Sequence, residues 1–107
     1  MSEKGRGDEV PGYTNLMLIA RRFVVSGRVQ GVGFRWFVQE KAAIEGVVGW
    51  VRNLPDGSVE ALIQGDAEAV QRIDRQIRRG PPAARVANVE AVDEPASSRY
   101  TAFLIDG

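Results

Sequence analysis

Three glycines separate an apolar, β-branched run, Phe23-Val24-Val25, from a helix-like run that begins at Phe34, which restricts the chain to a strand turning sharply into a helix. The stretch from Gly27 to Arg35 reads G-R-V-Q-G-V-G-F-R. Glycine lets a backbone adopt positive φ and approach a ligand closely, and the first N–H groups of a following helix have no internal partner and carry the positive end of its dipole. A phosphate fits such a place on main-chain donors, and Arg35 brings a planar fork suited to the same oxyanion. The local pattern also admits a plainer reading, in which the glycines only turn the chain and Arg35 is a solvated charge. Two familiar phosphate motifs are excluded. A P-loop needs Lys-Ser or Lys-Thr where Val32 and Gly33 follow Gly31, and a dinucleotide fingerprint counted from Gly31 needs glycine at Trp36.

Beyond the turn, Phe34, Phe37, Val38 and Ala42 recur at helical spacing, and Gly46 is placed to end that helix at its C-terminal cap. Gly46 to Asn53 reads as a strand, Leu54-Pro55-Asp56-Gly57 as a turn, and Ser58 to Gln64 as the return strand of a hairpin. In that return strand Val59, Ala61 and Ile63 alternate with positions expected to be polar or exposed. A second helix is expected from Asp66, its candidate N-cap, with Val70, Ile73 and Ile77 as the apolar stripe and Gly80-Pro81-Pro82 as the stop. Its arginines Arg72, Arg75, Arg78 and Arg79 alternate with Glu68 and Asp74, the pattern of a solvated face rather than a nucleic-acid patch. Arg85 to Val92 and Tyr100 to Ile105 are two more strand-like runs flanking a Pro95-Ala96-Ser97-Ser98 turn. The order strand, helix, strand, strand, helix, strand, with room for an edge strand at the end, predicts an α+β fold. It is the ferredoxin-like split βαβ sandwich (βαββαβ), an antiparallel sheet with both helices on one face.

Composition decides which chemistries remain. At 107 residues the chain is one small domain, and fourteen basic against fourteen acidic residues leave no net charge to seek nucleic acid or an anionic membrane. It has neither cysteine nor histidine, so thiol nucleophiles, thiolate metal sites and the usual neutral-pH acid or base are all absent. Catalysis must then rest on arginine, asparagine, main-chain groups or carboxylates. Residues 1–15, MSEKGRGDEVPGYTN, are polar and glycine-containing without an apolar run, and are expected to be a disordered leader ahead of a domain spanning residues 16–107.

A second informative stretch is Gly49 to Gly57, G-W-V-R-N-L-P-D-G, with Asn53 at the end of its strand. Alone, Asn53 reads as a turn-initiating asparagine. Read with GRVQGVGFR, the stretch closely resembles the acylphosphatase family, small ferredoxin-like enzymes that hydrolyse carboxyl-phosphate bonds. The resemblance runs from about Phe23 to the end and includes Pro81-Pro82-Ala83-Ala84-Arg85-Val86 and Phe103-Leu104-Ile105. It implies that Arg35 binds the phosphate and that Asn53 orients the attacking water. It also implies that Gly27, Arg28, Val29, Gln30, Gly31, Val32, Gly33 and Phe34 form the phosphate cradle. The implied enzyme is cytoplasmic and works as a monomer without metal or cofactor, on small acyl phosphates such as acetyl phosphate, carbamoyl phosphate or 1,3-bisphosphoglycerate. The chain departs from the family at its Ile105-Asp106-Gly107 ending, where members often carry an aromatic or charged residue.

The chemistry agrees with that composition. An acyl phosphate expels a carboxylate whose conjugate acid has a pKa of roughly 4, so no general acid is needed at the leaving group. The alternative function is a non-catalytic accessory domain that binds phosphate or carbamoyl phosphate, as occurs inside larger carbamoyl-transfer proteins. An RNA-binding module of the same topology would need aromatics on its third strand, and Ser58 to Gln64 has none.

Overall fold

The computed structural model describes residues 17–106, and the leader expected over residues 1–15 lies outside the described residues. The elements are β1 (Leu18–Arg28), α1 (Phe34–Glu45), β2 (Val48–Asn53), β3 (Val59–Asp66), α2 (Ala67–Arg79), β4 (Arg85–Glu94) and β5 (Phe103–Ile105). They form one sheet in the order β4-β1-β3-β2-β5. The pairs β1·β3, β1·β4 and β2·β3 are antiparallel, as the split βαβ order predicts, while the short edge strand β5 runs parallel to β2 and makes the sheet mixed. α1 packs over the β2 and β5 half and α2 over the β1 and β4 half.

The core lies between the helices and this face of the sheet. Val25, Val51, Val59 and Ile63 from the strands meet Phe34, Val38 and Ala42 of α1 and Val70, Ile73 and Ile77 of α2, all buried. Both helical stripes are therefore the ones their spacing predicts. Gly46 ends α1 in the left-handed conformation (φ 72°), its N–H donating to the Ala42 carbonyl at 2.8 Å. Asp66 occupies the N-cap position of α2, but its side chain makes no capping bond; the Ala67 N–H donates instead to the Met17 carbonyl at 2.9 Å.

The opposite face is covered more fully than the alternation in β3 suggests. Glu60, Leu62 and Gln64, the positions expected to be polar or exposed, are all buried. The physical reason is the chain between β4 and β5, which returns across this face to reach the far edge. Ser97 in that connection accepts from the Gln64 amide at 2.9 Å and donates its N–H back at 2.8 Å. Glu60 is neutralised between Arg22 (3.3 Å) and Arg52 (2.7 Å). On α2, Asp74 is 6% exposed and bridges Arg78 (2.6 Å) to Arg21 of β1 (3.0 Å), so it ties helix to sheet rather than belonging to a solvated face. Arg72 reaches Glu45 of α1 at 2.9 Å.

Candidate active site

The glycine loop links the end of β1 to the start of α1, and its conformation is set by φ rather than by crowding. Gly31 (φ 75°) and Gly33 (φ 80°) are left-handed, with open space where a Cβ would stand. Gly33 is the N-cap of α1 and no side chain caps it. The first helical bond runs from the Phe37 N–H to the Gly33 carbonyl at 3.0 Å, so the N–H groups of the first turn precede the helical ladder. The first turn of α1 carries no acidic residue to neutralise that positive end.

A cavity of about 250 Å³ opens at this helix start. Val29, Gly31, Gly33 and Phe34 form its loop wall, Arg35 and Trp36 stand on the helix side, and Asn53 enters from the end of β2. The Val29 and Phe34 side chains are 1% and 2% exposed in the core, so what these residues offer the cavity is chiefly main chain. Phe34 is held against Gly80, where an added Cβ would stand 3.1 Å from its ring. This anchors the first turn of α1 and fixes where Arg35 emerges.

Asn53 reaches the cavity because the loop is fastened to the β2–β3 hairpin. The Gln30 side-chain amide donates to the Leu54 carbonyl at 2.8 Å and to the Ser58 carbonyl at 2.9 Å. The turn itself is closed by Leu54 N–H to Ser58 carbonyl (2.8 Å) and Gly57 N–H to Leu54 carbonyl (3.1 Å). The Asp56 carboxylate accepts from the Ser58 hydroxyl and N–H at 2.5 and 3.0 Å, and these bonds hold its pKa below the usual carboxylate range.

Of the residues expected in the site, Val29, Gly31, Gly33, Phe34, Arg35 and Asn53 surround one cavity. Gly27 and Arg28 instead close β1, opposite Val86 and Arg85 of β4 across a register shift, and a Cβ on Gly27 would stand 2.2 Å from the Arg85 carbonyl oxygen. Val32 packs against the core, and the Gln30 side chain faces the hairpin. Trp36 borders the cavity although the sequence motif does not single it out. Its position directly after Arg35 on the first helical turn is the signal that finds it.

A split βαβ sandwich that brings a helix start, an arginine and an asparagine to one cavity has the parts that suit a small phosphate-handling domain. The acylphosphatase family model matches residues 21–105. The chain is 55% identical over 84 residues to an acylphosphatase of Rubrobacter xylanophilus, covering 78% of this chain and 76% of the relative. It is 46% identical over 87 residues to an acylphosphatase of Koribacter versatilis, covering 81% and 79%. The solved acylphosphatase from Bacillus subtilis superposes with a TM-score of 0.80 at 37% identity, over 85% of this chain and all of that one (100%). The chain belongs to the acylphosphatase family, hydrolases that act on acyl phosphates.

Proposed function

We propose that the cavity at the start of α1 binds the phosphoryl end of a small acyl phosphate and hydrolyses it by direct attack of water, without metal or cofactor. The observation that carries this reading is that Arg35 and Asn53, from separate elements, border the same 250 Å³ space as the glycine loop at the start of α1. The N–H groups around Gly31 to Trp36 and the Arg35 guanidinium hold the phosphoryl oxygens and stabilise their charge in the transition state. Phosphoryl transfer asks little else of a protein than positioning and charge stabilisation. The Asn53 carboxamide accepts from the attacking water and aims it at phosphorus. Asparagine is too weak a base to take the proton, so the proton passes to a phosphate oxygen of the substrate as the P–O bond to the acyl group breaks. The products are a carboxylate and inorganic phosphate, and the carboxylate leaves without protonation. The protein acts as a monomer in the cytoplasm on small acyl phosphates, with no nucleic acid as partner. Among the described residues no helix is long and apolar enough to cross a membrane.

The test is to mix the protein with benzoyl phosphate in excess chelator and follow loss of substrate. Hydrolysis that inorganic phosphate suppresses competitively is the expected result. Phosphate binding without hydrolysis would instead make the protein an accessory binding domain.

A further inference from the structure

The Trp36 side chain has no part in the hydrolysis just described, yet the residue is 69% exposed on the first turn of α1. An indole left in water beside a catalytic cavity is unusual, because its large apolar face gains most when covered. Trp36 and Gly33 also border a second, wider space, an apolar groove of about 1010 Å³ that follows α1 away from the cavity. Phe37, Ala43, Pro81, Pro82 and Phe103 line it, and Glu40 is the one charged side chain along it among the described residues. The cavity and the groove thus share Gly33 and Trp36 as a common wall.

We infer that Trp36 and this groove form the acyl subsite, which takes an uncharged apolar or aromatic acyl group; the inference rests on the phosphoryl end being held as proposed above. Attacking and leaving oxygens lie roughly in line in phosphoryl transfer. Asn53 brings water from the β2 wall, so the acyl oxygen leaves away from that wall. The rest of the acyl group then continues over the indole on α1 and into the groove. The Glu40 carboxylate repels acyl groups that carry a second negative charge. Selectivity therefore sits on the helix side of the cavity, apart from the groups that grip phosphate.

The proposal is tested with two inhibitors that share a phosphonate head and differ only in the phenyl ring, methylphosphonate and benzylphosphonate. Each competes against acetyl phosphate hydrolysis by the wild type, Trp36→Ala and Trp36→Phe, and inorganic phosphate serves as the reference for the cradle. Benzylphosphonate is expected to bind the wild type about tenfold tighter than methylphosphonate, the size of one well-placed aromatic contact. That preference should largely vanish in Trp36→Ala and survive in Trp36→Phe. Equal binding of the two phosphonates by the wild type, or the same preference in Trp36→Ala, would overturn the subsite while leaving the cradle intact. If Trp36→Ala turned a dimer into a monomer in sedimentation without moving the preference, the groove would be a contact between copies and the subsite would again be overturned. Absence of both acetyl phosphate hydrolysis and phosphate inhibition in the wild type would overturn the hydrolase reading and the subsite with it.

Discussion

Gln30 shows how a single side chain can set the spacing of a site whose two halves are distant in sequence. It joins the cradle to carbonyls 24 and 28 residues away, on either side of the turn that follows Asn53. Each such bond is worth roughly 1 kcal/mol net. Gln30→Ala should therefore lower kcat about tenfold through misplacement of Asn53. The loss should disappear in an Asn53→Ala background, where there is no carboxamide left to position; a purely structural role would give additive losses. Arg35→Ala should both weaken inhibition by inorganic phosphate and lower kcat by ~10²–10³, as expected when a preorganised donor to a developing anion is removed. Steady-state kinetics with phosphate as inhibitor separates the two effects. Arg35 and Asn53 could be singled out as candidates from the sequence because each lies in an unbroken motif. The side-chain direction of Gln30 and the exposure of Trp36 could not, since both depend on contacts made after the chain has folded.

The elements themselves were readable wherever a local rule operates. The helical stripes, the Gly46 cap and the Pro-Asp-Gly hairpin follow from spacing and turn chemistry, and the structure places them as expected. What local rules could not supply came from distant chain. The N-terminus of α2 is capped by the Met17 carbonyl, and the outer face of β3 is covered by the return chain around Ser97. β1 also extends through Gly27 and Arg28, because a shift in register against β4 lets the glycine backbone pass close to Arg85. Gly49 is the tightest such approach. At φ 137° in β2, a Cβ there would stand 1.8 Å from the Leu62 carbonyl oxygen, so the strands must separate to admit it. Gly49→Ala is expected to destabilise the protein by about 3 kcal/mol, seen as a lower urea midpoint at an unchanged slope. An unchanged midpoint would mean that the β2–β3 contact is looser than described.

Across the whole molecule, carboxylates with depressed pKa values, one between strands, one between the helices and one in the β2–β3 turn, set the response to acid. Asp93 is held low by its hydrogen bond from Arg21, Glu45 by that from Arg72, and Asp56 by those from Ser58. A carboxyl whose folded pKa lies below its unfolded value of about 4 adds stability that is present above that value and lost as pH falls through the folded one. Tm should therefore be nearly level from pH 8 to 5 and drop below about pH 4, with only small changes in salt because Asp56 and Asp93 are solvent-exposed. A Tm that rises on acidification would contradict this. Activity should be similarly flat between about pH 5.5 and 7.5, since the chain has no histidine to titrate there.

The measurement closest to the chemistry is the turnover of Asn53→Ala on benzoyl phosphate in excess chelator, taken together with its inhibition by inorganic phosphate. If Arg35 and the main-chain cradle hold the phosphoryl group while Asn53 aims the water, kcat should fall by ~10²–10³ and the phosphate inhibition constant should stay close to that of the wild type. A variant that keeps the wild-type kcat would show that water is positioned by another group and that the cavity shared by Arg35 and Asn53 is not where the bond is broken.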